Sequence, residues 1–284
     1  MAGRNGHIEM KSPTPTSGSA NQSPGRLLIT AGPTHEPIDA VRFIGNRSSG
    51  RLGVALAEEA ARDGWTVTLL LGPTPVQPSD SRVEVRRFRT TADLQGLLME
   101  ALPACDVLVM AAAVADYKPK TTPQMLKGKH RRVEGGMVIE LESTPDLLAG
   151  CAKVRRSDQV LVGFALEPRE ELEASARRKL GKKKVDLIVA NPLETMDAPT
   201  IEARVFGGEG TGLEGGRATD GAIPKERFAG WLLGVIGEVR DRIGLRMESR
   251  DAQRAAGPGI DTATGHQAGR SAEAARTGSH HART

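Results

Sequence analysis

Residues 27–70 read LLITAGPTHEPIDAVRFIGNRSSGRLGVALAEEAARDGWTVTLL, and this order of elements restricts the fold more than any other stretch of the chain. The opening run, Leu27 to Thr30, is short and apolar throughout, as suits a parallel strand covered on both faces. A loop rich in Gly, Pro, Asn and Ser follows from Ala31 to Ser49, long for a connection between a strand and a helix, and loops of that length are usually functional. Leu52, Val54, Ala55, Ala57, Ala60 and Ala61 then recur at helical spacing and give a narrow apolar face for packing on a sheet. Asp63-Gly64 stops the helix, and WTVTLLLG supplies a second strand. The start of such a helix carries unpaired N–H groups and the positive end of its dipole, so an anionic group is favoured there.

The same alternation runs through the rest of the chain. Strands are expected over residues 82–88, 106–113, 159–166 and 185–192. Helices are expected after Thr90 or Thr91, after Thr144-Pro145-Asp146 with Pro145 in the first turn, from Pro168, and from Lys225 to about Ile243. Residues 120–142 change character: Lys120, Lys127, Lys129, His130, Arg131 and Arg132 make a basic segment leading into MVIELE, read as a strand or hairpin arm with a mobile loop. Further short strands are expected at 200–206 and 211–214. The pattern predicts an α/β, Rossmann-like three-layer fold with a mostly parallel sheet and a small antiparallel excursion.

Composition bounds the domain. All eight aromatic residues lie between Phe43 and Trp231, and the ends are rich in Gly, Ser, Ala, Arg and His. Residues 1–25 are therefore expected to be a disordered leader, 26–244 the folded domain and 245–284 a disordered tail. The net charge of +4 is mild for 284 residues; it reads either as attraction for phosphorylated ligands or as plain solvated surface charge. A basic stripe interleaved with aromatics, which nucleic-acid binding would need, is missing. So are an apolar run of membrane-spanning length and a signal-peptide core, which points to the cytoplasm. Cys105 and Cys151 lack metal-ligand spacing and are expected to be free and buried, in a reducing compartment.

Chemistry is expected at the strand ends. Gly32, Arg42, Asn46, Ser48, Ser49, Gly50 and Gly53 form one constellation: an arginine fork for phosphate or carboxylate, an amide donor and a turn of small residues for phosphate. Both a GxGxxG fingerprint after the first strand and a Walker A loop are missing. Ala112 and Ala113 let a flat group approach the backbone, and beside them Asp116 offers a carboxylate, with a plain helix cap as its other reading. Lys127 and Lys129 are candidates for delivering charge from a mobile loop, and a solvated loop is the alternative. Phe164 can stack a base or belong to the core, and Asn191 can read a polar edge. With no nucleophile, histidine base and orienting group together, and His35 alone in its loop, covalent catalysis is disfavoured.

The strings ITAGPTHEPIDAVRFIGNRSSGRLGVALAEEA, VMAAAVADYKPK, LESTPDLL, VGFALE and DLIVANP, in that order, resemble the phosphopantothenoylcysteine synthetase (phosphopantothenate–cysteine ligase) family of coenzyme A biosynthesis. The resemblance implies a stand-alone ligase domain over 26–244, without the decarboxylase domain often fused to it. Such an enzyme joins 4'-phosphopantothenate to cysteine with CTP, or ATP, through an acyl-nucleotide intermediate, with Mg²⁺ or Mn²⁺ and no flavin. It further implies a homodimer through segments 120–142 and 200–215, and association with a separate phosphopantothenoylcysteine decarboxylase. By the same resemblance Asn46, Arg42 and Lys127 are catalytic, with Lys129 competing for the role of Lys127, and Ala112, Ala113, Asp116, Phe164 and Asn191 surround the nucleotide. Metal ligands stay unassigned.

Overall fold

The computed structural model describes residues 24–129, 131 and 134–255. The expected leader, up to residue 23, and the expected tail beyond residue 255 lie outside the described residues, as do His130 and Arg132 of the basic segment.

The chain opens with β1 (Arg26–Ala31), and the long loop after it contains a hairpin, β2 (His35–Pro37) against β3 (Phe43–Gly45). Then come α1 (Arg51–Arg62), β4 (Thr66–Leu71), β5 (Glu84–Arg87), α2 (Thr91–Ala101) and β6 (Val107–Met110). The excursion consists of β7 (Tyr117–Pro119), a five-residue helix α3 (Pro123–Lys127) and β8 (Leu141–Ser143), with β7 and β8 antiparallel. After it follow α4 (Leu147–Val154), β9 (Val160–Glu167), α5 (Leu172–Lys183) and β10 (Leu187–Pro192). The chain continues through β11 (Thr200–Ile201), β12 (Arg204–Gly207), β13 (Arg217–Ala218), β14 (Ile223–Pro224) and α6 (Lys225–Ala255). A separate compact unit begins at Glu248, and its described residues, 248–255, are helical.

The main sheet runs β13-β12-β10-β9-β6-β1-β4-β5, parallel from β10 to β5 and antiparallel at β12 and β13. Chain order reverses direction between β1 and β6, which makes their carboxyl ends the switch point where open α/β sheets bind ligands. Two apolar clusters cover the two faces. One unites Leu27, Ile29 and Val109 with α1 and with Phe228, Leu232 and Ile236 of α6. The other unites Leu28, Leu70 and Leu108 with Leu94 and Leu98 of α2, Leu148 of α4 and Ala176 of α5. The fold is the three-layer, Rossmann-like α/β arrangement.

Four details depart from the sequence reading. The loop 31–49 is partly a hairpin, because Asp39 accepts from the amides of Val41 and Arg42 and closes a tight turn. Pro145 stands outside α4: Asp146 is the cap, accepting from Ala149 N at 3.1 Å. The strand expected at 211–214 is a turn pinned by the Glu214 carboxylate on the amides of Gly210 and Gly212, and pairing with β12 falls to Arg217–Ala218. Helix α6 runs past Ile243 to Ala255, since 244–255 are mostly good helix formers that need no apolar face to continue.

Helix α1 sits very close to β1. A Cβ at Gly53 would come within 2.3 Å of Ala31 Cβ, which has no rotamer to move away. Gly53→Ala is therefore expected to cost about 1–3 kcal/mol by overpacking, read as a lower midpoint in urea unfolding; an unchanged midpoint would refute this account of the contact.

Candidate functional site

Beyond the last sheet residues, the ends of β1 and β6 stay zipped together. Ala113 N donates to Gly32 O at 2.9 Å and Thr34 N to Ala113 O at 3.2 Å. The buried hydroxyls of Thr30 and Thr34 accept from Ala112 N at 3.1 Å and Ala115 N at 3.0 Å. Gly32, with φ 79°, makes the turn that permits this, packed against Gly72.

This zipper forms one wall of a cleft of about 750 Å³. The start of α1 forms the next wall. Gly50 is its N-cap in the left-handed region (φ 72°), no side chain caps it, and its first turn contains no acidic residue. First-turn N–H groups of a helix have no intrahelical acceptor, so they and the dipole favour an anion at this wall. Thr74 Oγ1 donates to Ser49 O at 2.7 Å and fixes the turn before the helix. Asn46 Nδ2 donates to Val114 O at 2.9 Å, tying the hairpin loop to the β6 end.

The opposite wall is charged and largely paired. Lys179 and Lys183, one turn apart on α5, bind Glu167 at 2.8 Å and Asp146 at 2.9 Å. Arg47 binds Asp197 at 2.6 Å, an ion pair between residues far apart in the chain. Asn191, buried at the end of β10, donates to Thr195 Oγ1 at 2.6 Å. Lys225, buried in the first turn of α6, completes the lining.

The structure brings Asn46, Ser48, Ser49, Gly50, Gly53, Ala112, Ala113, Asp116, Phe164 and Asn191 to this one cleft. It does not bring Gly32, Arg42, Lys127 or Lys129 into the lining. Gly32 is spent on the zipper. Arg42 Nε donates to Asp39 at 3.0 Å, so its fork is occupied within the hairpin. Lys127 and Lys129 are exposed on the excursion, where Ala40 N donates to Gly128 O at 3.1 Å. Arg47, Arg51, Lys179, Lys183, Asp197 and Lys225 line the cleft without having been singled out. The lysine pair carried a legible signal, two cations four apart on a helix that follows a strand. Lys225 carried another, a cation in a helix's first turn, where the dipole opposes it.

Among the described residues, no histidine, cysteine or tyrosine lines the cleft, and its one aromatic is the half-buried Phe164. His35 stacks on Phe43 with ring centroids 3.7 Å apart and is not among the lining residues. Burial pushes the Cys105 thiol up to about 12 and Cys151 to about 11, so neither is a nucleophile at neutral pH. Among the described residues no three His, Cys, Asp or Glu side chains cluster as a metal site would require, and no helix is long and apolar enough to cross a membrane.

Comparison with known proteins assigns the chain. Residues 23–214 match the family described as the DNA/pantothenate metabolism flavoprotein C-terminal domain. The chain belongs to that family. Among its relatives is a protein called cysteine/cysteine sulfinic acid decarboxylase, from an unknown prokaryotic organism, 47% identical over 60% of this chain and 46% of its own length. The coenzyme A biosynthesis bifunctional protein CoaBC of Bacillus subtilis (strain 168) is 40% identical over 61% of this chain and 41% of its own. The solved C-terminal domain of a CoaBC bifunctional protein is 32% identical, with a TM-score of 0.60 over 76% of this chain and 95% of that one. A Cab2 mutant solved in complex with phosphopantothenate-cysteine shares the fold at 18% identity, with a TM-score of 0.66 over 79% of this chain and 89% of that one. The chain spans less than half the length of these curated relatives.

Membership corrects the functional expectations. A family described by its flavoprotein, with relatives that are bifunctional or called decarboxylase, overturns the stand-alone ligase reading. With it go CTP or ATP activation with Mg²⁺ or Mn²⁺, and 4'-phosphopantothenate and free cysteine as the implied substrates. The expectation of no flavin is overturned by the same description. A separate decarboxylase partner is no longer called for, because decarboxylase is the name of a relative of this very stretch. Coenzyme A biosynthesis is named in the description of the Bacillus subtilis relative.

Two predictions follow from the walls. Asn46→Ala is expected to release the hairpin loop, seen as faster hydrogen exchange over residues 43–49 with a stability cost of only about 0.5–1.5 kcal/mol; unchanged exchange would show that the Val114 contact does not hold the loop. The Lys179 ammonium, and then the Ser175 hydroxyl, hold the Glu167 carboxyl below its ordinary value of 4.5. A carboxyl lowered on folding contributes stability above its unfolded value and loses it as pH falls through the lowered, folded one. Glu167→Gln should flatten the loss of urea stability below about pH 4.5, and an identical acid limb would refute the assignment.

Proposed function

We propose that this chain serves the phosphopantothenoylcysteine stage of coenzyme A biosynthesis, holding that phosphorylated acyl-cysteine within a flavin-dependent, decarboxylating protein of the cytoplasm. The observation that carries the reading is the uncapped start of α1 opening, at the β1/β6 switch point, into a cleft with cationic side chains on its walls. An extended ligand with a phosphate at one end and amides along its length matches this lining. The phosphate goes to N–H groups and cations, and the amides to Asn46, Asn191 and the strand-end backbone. The relatives in coenzyme A biosynthesis support the choice of ligand class.

Oxidative decarboxylation of such a ligand calls for a base near its thiol; among the described residues the lining has no imidazole or thiol, and of its carboxylates Asp146 and Asp197 are taken up by Lys183 and Arg47, which leaves Asp116. The cleft residues thus fit a phosphate ester and not the whole of a flavin centre. The flavin belongs to the protein as a whole rather than to this cleft alone.

Calorimetric titration of the purified chain with phosphopantothenoylcysteine is expected to give saturable binding that inorganic phosphate weakens by competition. Absence of binding would sink the proposal. Carbon dioxide release on adding FMN would place the decarboxylating step on this chain, and binding without release would leave it the ligand-holding part.

A further inference from the structure

Glu36, in the middle of β2, is 3% exposed and forms no ion pair among the described residues. Its Oε1 accepts from both donors of Thr91, the backbone N–H at 2.8 Å and the hydroxyl at 2.7 Å. Helix α2 does not need this acid in order to begin, because Thr90 and Asp93 already cap each other: Thr90 Oγ1 accepts from Asp93 N at 3.1 Å, and Asp93 accepts from Thr90 N at 2.9 Å. Burying a carboxylate away from cations opposes folding, and a leucine would fill the same place at less cost. What the acid adds is a fixed direction.

The Thr91 hydroxyl also lies 3.4 Å from the buried hydroxyl of Thr34. A carboxylate can only accept, so the one Thr91 proton goes to Glu36, and the Thr91 oxygen is left facing Thr34 as an acceptor. Thr34 Oγ1 in turn accepts from Ala115 N at 3.0 Å. One line of polar contacts thus runs from Ala115, between the lining residues Val114 and Asp116, through Thr34 and Thr91 to Glu36. Beside it His35 N donates to Arg89 O at 2.7 Å. Val41 and Phe43 of the hairpin are exposed, so polar contacts supply much of its anchoring.

We propose that Glu36 is a positioning residue of the cleft: by fixing Thr91 and, through it, Thr34, it sets the β2–β3 hairpin and the segment 113–116 at the spacing a ligand meets. The inference rests on the reading above, that the cleft holds phosphopantothenoylcysteine, and deepens it with residues that touch no ligand. The hairpin is held at two places, by Glu36 on α2 and by Asn46 on Val114 O at 2.9 Å. Without the first hold, the backbone groups that would meet the ligand's amides lose their alignment.

The test titrates phosphopantothenoylcysteine into wild type, Glu36→Leu, Glu36→Gln, Thr91→Val and the Glu36→Leu/Thr91→Val double variant, and follows hydrogen exchange in each. Glu36→Leu keeps the volume but accepts nothing, and is expected to bind about tenfold more weakly. Exchange at Ala115 should quicken while that of Leu108, in β6, stays as in wild type. Glu36→Gln keeps an oxygen for both Thr91 donors and should restore affinity to within about threefold of wild type. The double variant should lose no more than Glu36→Leu alone, since both changes break one line of contacts. A side chain that merely packs would give the reverse, with Glu36→Leu at wild-type affinity and exchange; that result, or losses that add in the double variant, overturns the proposal. Should Glu36→Leu not fold, Thr91→Val, which keeps the backbone N–H and the shape, decides in its place, and unchanged affinity and exchange overturn the proposal. Wild type that fails to bind the ligand overturns the function instead, and exchange at Ala115 then decides the role of Glu36 by itself: faster supports it, unchanged overturns it.

Discussion

The close approach of α1 to β1 is the constraint on which the rest depends. With no side chain at Gly53, the helix lies against Ala31 and starts level with the end of the strand. Any larger residue would lift the first turn and its free amides away from the switch point. The same nearness brings Gly50 against Thr74, whose hydroxyl holds Ser49, so the turn that aims the helix is fixed from the far side of β4.

A second zone of order is polar. Thr30 and Thr34 are buried, yet each spends its hydroxyl on an amide of the loop after β6. Buried hydroxyls are tolerated when hydrogen-bonded, and here the bonds extend sheet-like pairing past the last true strand residues. The floor of the cleft is therefore backbone held by backbone, and the adjustable chemistry sits on the side walls, in ion pairs such as Lys179–Glu167 and Arg47–Asp197.

Much of this was legible in the sequence. The apolar runs at 27–30, 106–113, 159–166 and 185–192 predict the parallel sheet, and the alternation of elements puts Asn46, Ser48, Ser49, Asp116, Phe164 and Asn191 at strand ends. Arg42 misled, since an arginine in a glycine-rich loop reads as a ligand contact until Asp39, three residues before it, is seen to claim the fork. Lys225 escaped because it lies far along the chain, and only the three-dimensional fold carries α6 to the cleft. The activity was read from a resemblance that the family assignment corrected. The fold follows from periodicity, whereas a reaction does not, and the curated relatives are more than twice the length of the matched stretch.

The strand order bears on how the protein is made. β1, paired on both sides in the sheet, is translated before either of its neighbours, which begin only at Thr66 and Val107. At ordinary synthesis rates a run of five buried apolar and threonine residues waits for seconds with both edges unpaired. The nascent chain passes through a window in which this apolar strand has open edges, and that window closes only when the loop of alanines after β6 has been translated.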